Sequence, residues 1–278
     1  MSLVGKILRD YRVVYVILLV LVAAALVTPL GLPLLVSKEV KTIYDHLESI
    51  PPGSNIGVGS DFMFETFPEM GDSFRALFRY CLKKNLNFIC INTDVKAQGN
   101  PLVEQVFREV SIPKEKKYGV DYVNLGFLPG EEAALANFAK DVQGTAVRDA
   151  RGTPISELPI MKNVKTMKDF ALWFGFGGVT GDYPERYLRQ IQVPYKIGVA
   201  YACQAGVAPT IKPYVASGQL LGLLSSVRGG AEFELITGML GGGAVQMDSL
   251  SLSHMFMLLV IIAGNIYWFG TRSGRENR

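Results

Sequence analysis

Residues 55–92 read NIGVGSDFMFETFPEMGDSFRALFRYCLKKNLNFICIN, and the order of patterns within them decides the fold. Residues 55–59 are a short apolar run of strand length. Residues 72–84 then carry apolar side chains at helical spacing, Phe74, Leu77, Phe78 and Cys81. Residues 87–92 are a second apolar run. Strand, helix and strand in this succession argue for a βαβ unit with parallel strands. The runs are continuous rather than alternating, as expected when helices cover both faces of a sheet.

The same alternation extends downstream. Further strands are expected over residues 122–128, 170–175 and 196–203. Helices are expected over 101–110 (Val103, Val106, Phe107, Val110) and over 131–142 (Ala134, Leu135, Phe138, Val142), the latter behind Pro129-Gly130. The fold class is therefore α/β, a three-layer domain with a mostly parallel sheet, Rossmann-like or flavodoxin-like. Ile56, Cys90, Leu125, Phe174 and Val199 should be buried in its strands.

Two regions fit this scheme less well. Residues 144–168, with Arg148, Arg151, Pro154 and Pro159, are too long for a plain loop and read as a surface excursion or a further hairpin. Residues 205–243 open with Pro209 and Pro213. They continue as an apolar helix through Leu220, Leu221, Leu223, Leu224 and Val227, break at Gly229-Gly230 and resume through Glu234. The run Gly241-Gly242-Gly243 then reads as a hinge.

The apolar excess of the chain, 49% of residues, is concentrated at its ends. Residues 13–36 are 24 positions without a charge, enough to cross roughly 30 Å of hydrocarbon as a helix. Pro29 and Pro33 should end or kink that helix near its outer end. Residues 250–270 form a second candidate span, with Asp248 and Ser249 at the expected N-cap. Residues 1–12 carry Lys6, Arg9 and Arg12 against Asp10, and residues 271–278 carry Arg272, Arg275 and Arg278 against Glu276. Each end is thus +2, which leaves −1 for the stretch between them out of a total of +3. Positive-inside bias then puts both termini in the cytoplasm and the central domain outside it. The expected organisation is a terminus (1–12), a span (13–36), a linker helix (37–52, ended by Pro51-Pro52-Gly53), an extracytoplasmic domain (53–243), a second span (250–270) and a second cytoplasmic terminus (271–278). A cleaved secretory signal near Ala23–Ala25 is the rival reading of the first span. It is disfavoured because apolar sequence continues well past the small residues.

Several chemistries are excluded. The chain has two histidines, His46 and His254, one in the linker and one in a span, so no histidine-based dyad or metal site fits the domain. Cys81, Cys90 and Cys203 form no CxxC and lie in apolar runs, as buried free thiols do. A domain of charge −1 without a basic, aromatic-interleaved stripe is no nucleic-acid binder. No catalytic residue, cofactor or metal ligand is assigned.

In an open parallel sheet, ligands bind outside the carboxyl ends of the strands at the switch point. Ser60, Asp61, Thr93 and Asp94 fall there, as do Glu131, Glu132, Thr180, Asp182 and Gln204. A ring of carboxylates could bind a metal or supply an acid and a base, or the same residues could simply cap helices. The glycines of Gly57-Val-Gly59 and of residues 175–181, including Gly177 and Gly178, look like phosphate-cradling turns, but the first lacks the third glycine of GxGxxG, with Phe62 in its place, and neither contains the P-loop lysine. A ligand, if one binds, should meet Ser60, Asp61, Thr93, Asp94, Gly177, Gly178 and Asp182. The alternative use of the domain is assembly. Leu220, Leu224, Val227 and Phe233 offer apolar surface, and Asn265 is a polar residue in the second span that would favour a partner's hydrogen bond.

Three functions remain, in order of fit: a membrane-anchored structural or assembly subunit that packs on itself or on another membrane protein, a ligand-binding or sensory domain, and a carboxylate- or metal-dependent enzyme. An open carboxyl-end rim favours the last two, and a rim filled by side chains favours the first.

Overall fold

The computed structural model describes residues 10–28, 30–97, 99–177 and 183–276. It divides into two compact units, Leu35–Gly243 and the paired ends Met1–Leu34 with Ala244–Arg278. In chain order the elements are α1 (Tyr11–Val27), α2 (Lys38–Ser49), β1 (Asn55–Asp61), α3 (Phe67–Lys83), β2 (Asn87–Asn92), α4 (Gly99–Glu109), β3 (Tyr122–Phe127), α5 (Glu131–Lys140), α6 (Val142–Thr145), β4 (Phe170–Gly177), α7 (Tyr183–Tyr187), α8 (Val193–Tyr195), β5 (Gly198–Cys203), α9 (Ala208–Ala216), β6 (Gly222–Ser225), α10 (Ser226–Thr237) and α11 (Gly242–Glu276). A π-helical stretch, Leu188–Gln192, joins α7 to α8.

The larger unit is built on one parallel six-stranded sheet in the order β3-β2-β1-β4-β5-β6. This is the Rossmann order rather than the flavodoxin one, with its switch point between β1 and β4. Successive residues of a strand go to opposite faces. Leu172, Phe174 and Phe176 meet α2, α3, α4 and α10 on one side, while Trp173, Val199 and Tyr201 join α5, α9 and the π-helical stretch on the other. Ile56, Cys90, Leu125, Phe174 and Val199 are all buried, and the three cysteines are buried free thiols.

The region of residues 205–243 differs from its sequence reading. Residues 222–225 form a sixth strand instead of part of a helix. α10 then passes through Gly229-Gly230 without a break. The glycines serve close packing: a Cβ on Gly229 would fall 2.6 Å from the Leu224 backbone, and one on Gly230 would fall 3.0 Å from the Ser73 backbone of α3. The run Gly241–Gly243 is likewise packed rather than hinged. The Gly241 and Gly243 amides donate to the buried Glu234 carboxylate at 3.0 and 3.3 Å. A Cβ on Gly242 would fall 2.5 Å from Asp72 Oδ1.

Helix α2, expected as a linker, is a core element. Ser37 caps it, and its Val40, Ile43 and Leu47 enter the same cluster as β6 and α10. Residues 144–168, expected as a surface excursion or a hairpin, are wound as short 3₁₀ turns that bury Ile155, Met161, Val164 and Met167 in the core, with one antiparallel bridge between Arg148 and Pro154. The Ala150 amide of this excursion donates to the Asn124 carbonyl of β3, which covers part of an edge strand that would otherwise invite another chain.

In the unit formed by the ends, α1 has 17 residues and stops at Val27, nine short of the boundary expected at residue 36. Its cap, Thr28, is extended at φ −126°, ψ 93°, the conformation a following proline favours. α11 starts at Gly242, earlier than the expected residue 250. Asp248 is therefore no N-cap but lies inside the helix, where its carboxylate accepts the backbone N–H groups of Leu30, Gly31 and Leu32 at 2.7, 2.9 and 2.9 Å. Among the described residues one helix, Gly242–Gly270, is long and apolar enough to cross a membrane, and α1 is a shorter apolar helix.

Candidate functional site

At the switch point β1 and β4 run side by side with Gly57 opposite Trp173, Gly59 opposite Gly175 and Asp61 opposite Gly177. Gly57, Gly59 and Gly175 lie within strands and not in phosphate-binding turns. Their missing side chains make room for aromatic rings. A Cβ on Gly57 would fall 2.3 Å from the Trp173 ring, one on Gly59 would fall 2.0 Å from the Tyr187 hydroxyl, and one on Gly175 would fall 2.4 Å from the Tyr187 ring. Tyr187 and Tyr201 are both buried and pack at a tilt, with centroids 6.3 Å apart. Where a dinucleotide-binding domain leaves its strand ends open to a pyrophosphate, this sheet carries a layer of aromatic rings.

Asp61 closes the strand end itself. It is 2% exposed, and its Oδ1 accepts the N–H groups of Thr93 and Asp94 at 2.8 and 3.1 Å. Oδ2 accepts the Tyr187 hydroxyl at 2.5 Å and the Thr93 hydroxyl at 3.4 Å. Burial raises the Asp61 carboxyl above its ordinary pKa, with the Tyr187 hydroxyl and the two amides opposing and the Asp94 charge adding to the rise. Burial, with the Asp61 charge and its hydrogen bond, holds the Tyr187 hydroxyl well above its own. A carboxylate that has saturated its lone pairs with protein donors has little left for a metal or a substrate.

The neighbouring positions are also occupied internally. Ser60 donates to the Ile91 carbonyl at 3.0 Å. The N-terminus of α4 sits so close that a Cβ on Gly99 would fall 1.7 Å from the Ser60 carbonyl oxygen. Asp94 turns back to accept its own chain at Lys96 N, 2.8 Å away. Thus Ser60, Asp61, Thr93 and Asp94 do come together at one edge, as anticipated, but as a closed network bonded to itself. Asp61 caps no helix, and among the described residues its two oxygens accept from protein donors. Gly177 ends β4 opposite Asp61; Gly178, Thr180 and Asp182 lie outside the described residues.

After β3, Glu131 and Glu132 pair with arginines. Glu132 takes Arg189 at 2.9 and 2.8 Å and Gln190 at 2.8 Å, which pulls its carboxyl down to about 2. Glu131 meets Arg186 at 3.4 Å. No group of three or more metal-ligating side chains occurs among the described residues.

The residues expected at an interface fare differently. Leu220, Leu224, Val227 and Phe233 are between 0 and 8% exposed within their own unit. They are consumed by this chain's core because β6 and α10 are packed elements, not a free apolar connector. Asn265 stays exposed, with its amide donating to Ile261 O one turn back at 2.8 Å.

Sequence reasoning missed Tyr187 and Glu69. Glu69 Oε2 accepts the Ala205 amide at 3.0 Å and the Ser226 hydroxyl at 2.7 Å, tying α3 to the exits of β5 and β6. Neither residue carries a local motif; each acts across more than 120 positions of sequence. Beside these exits lies a cleft of about 440 Å³ whose lining includes Lys212, Ser225, Ser226, Arg228 and Glu232. Comparison of the chain with protein-family models, with curated proteins and with solved structures finds no match.

Proposed function

We propose that this chain is a membrane-anchored structural or assembly subunit of a larger membrane complex, whose α/β domain packs against itself or a partner. The closed switch point carries this reading. Where a ligand-binding domain of this topology needs an opening, Asp61, Tyr187 and the strand glycines form a filled interior. Such an arrangement suits a rigid scaffold.

Anchoring is supported by the surfaces of the terminal helices. Only 6% of the most apolar window of α11 is buried; Leu259, Ile262 and Ile266 are each more than half exposed. A core helix of a soluble fold would bury that face, and hydrocarbon covers it equally well. For α1, 17 residues rise only about 25 Å, and the chain continues through residues 30–36 in a non-helical conformation. Irregular backbone is tolerated at membrane depth only when its donors are met by protein, and Asp248 meets three of them. We therefore infer two spans, both termini cytoplasmic and the domain extracytoplasmic, with Asn265 as a contact to a neighbouring helix.

One observation favours a second reading. The cleft beside β5 and β6 combines Lys212 and Arg228 with two serine hydroxyls, which would suit a small ligand in a sensory domain. Purified full-length protein in nanodiscs distinguishes the two. An oligomer or a stable hetero-complex by mass measurement, with no thermal shift from a panel of nucleotides and small anions, is expected. A strict monomer that is stabilised by one of those compounds would overturn the assembly reading in favour of the second.

A further inference from the structure

Nine large apolar side chains of the α/β unit are exposed among the described residues, and three of them are leucines: Leu35 at 84%, Leu235 at 42% and Leu240 at 63%. The six valines and phenylalanines lie in other parts of the unit's sequence, away from its two ends. Leu35 is the first residue of the unit and Leu240 lies three positions before its last, so two of them stand where the chain leaves the sheet for its apolar ends.

All three also flank one helix. Glu232 of α10 accepts the backbone and side chain of Ser37 at 2.8 and 2.5 Å, so the segment after Leu35 runs along α10. Leu235 is on α10 itself. Gly238 then turns the chain in a left-handed conformation, and the Met239 amide donates to the Glu234 carbonyl at 2.9 Å, folding residues 239–240 back on the helix end. Arg79 holds that fold by donating to the carbonyls of Met239 and Leu240 at 3.1 and 3.3 Å. These bonds fix the backbone and leave the leucine side chains outward.

Lys38 adds a positive charge beside Leu35. It is the first residue of α2, exposed and without an ion pair among the described residues, and a cation at a helix N-terminus opposes the helix dipole.

We propose that Leu35, Leu235 and Leu240 form a lipid-contacting edge of the α/β unit along α10, with Lys38 at the level of the headgroup phosphates. The occupant is the bilayer surface and not a second protein, because Leu35 and Leu240 adjoin in sequence the segments inferred to enter the membrane, and exposed leucines beside a cation are what an interfacial segment needs. The proposal rests on the anchoring argued above.

The test is full-length protein in vesicles of phosphatidylcholine with phosphatidylglycerol. A nitrobenzoxadiazole probe is placed in turn at Leu240→Cys, Leu35→Cys, Val147→Cys and Leu258→Cys; the native thiols are buried. Doxyl-labelled lipid should quench the probes at 240 and 35 several-fold more than the one at 147, an exposed site elsewhere on the unit, and their emission should be blue-shifted. Quenching at 258 with solvent-like behaviour at 240 and 35 would overturn the lipid edge while leaving the anchor intact. Probes at 240 and 35 that are shielded from iodide yet unquenched by doxyl lipid would overturn it in favour of a protein partner. Absence of quenching at 258 would remove the anchor, and the lipid edge with it.

Discussion

Two buried aspartates, one in each unit, do the same work in different surroundings. Asp61 gathers two amides and two hydroxyls at the end of β1, inside a sheet whose strands are already paired on both sides of it. Asp248 gathers three amides from residues 30–32, a segment with no helix or strand of its own. Around Asp61 the carboxylate closes a gap in a regular structure that packing already holds. Around Asp248 it replaces secondary structure by supplying the acceptors that a helix or strand would have provided. The same side chain is therefore a reinforcement in one unit and a substitute for a helix in the other.

The largest expected effect follows from that difference. Asp248→Ala would take the acceptor from three amides at once; within the proposed span no water replaces it, and the cost is expected to be about 4 kcal/mol. Thermal unfolding in mild detergent should show the loss, and hydrogen exchange should show it localised to residues 30–32. Unchanged protection there would mean that the irregular segment is held by something other than Asp248.

Asp61→Ala should be somewhat milder, about 3 kcal/mol, because removing a buried charge partly offsets the orphaned amides of Thr93 and Asp94. Asp61→Asn separates the two contributions by pH. With its pKa raised in the fold, Asp61 binds its proton more tightly folded than unfolded. Stability in the wild type should therefore decline as pH rises from 3.8, the ordinary value, through the raised one. The Asn variant should lack that decline in denaturant titrations, and identical pH profiles would mean that Asp61 titrates normally.

The ring layer supplies a third, smaller effect. Gly59→Ala places a methyl 2.0 Å from the Tyr187 hydroxyl, overpacking that typically costs about 1–3 kcal/mol. In the Tyr187→Phe background the hydroxyl is gone and the penalty should shrink, so a double-mutant cycle should show coupling between the two positions. Additive effects would deny that the glycines exist to seat the ring.

Smallest is Glu132→Gln, which loosens the pairing with Arg189 and Gln190 at a partly exposed site and should cost about 0.5 kcal/mol after solvent screening. Because the Glu132 carboxyl is depressed to about 2, its contribution is present above the ordinary carboxylate range and lost as pH falls toward 2. An acid-unfolding midpoint that does not move in the variant would show the pair to be without weight.

Much of the α/β unit is legible in the amino-acid sequence. Five of its strands can be located because each is buried on both faces and reads as an apolar run, and α3, α4 and α5 show their buried faces at helical spacing. β6 is not legible. Leu220, Leu221, Leu223 and Leu224 suit a helix or a strand equally, and four residues are too few for a period to declare itself. Gly229-Gly230 and Gly241–Gly243 look like breaks because a glycine needed for close packing is indistinguishable in sequence from one needed for flexibility. At the candidate site the positions of Asp61, Thr93 and Asp94 at one edge can be read from the ends of the strands. That Asp61 is engaged there by Tyr187, which arrives from 126 residues away, cannot be read from any local pattern.

By itself the sequence determined the class of the domain, its parallel strands and the apolar character of both ends, because hydrophobic period and run length are local properties of the chain. The tertiary structure alone decided the strand order, the filling of the switch point and the use of Asp248 within α11. Those depend on which distant donor meets which acceptor once the chain has folded, and a buried carboxylate carries no mark in the sequence of whether its partners will be a metal, a substrate or its own backbone.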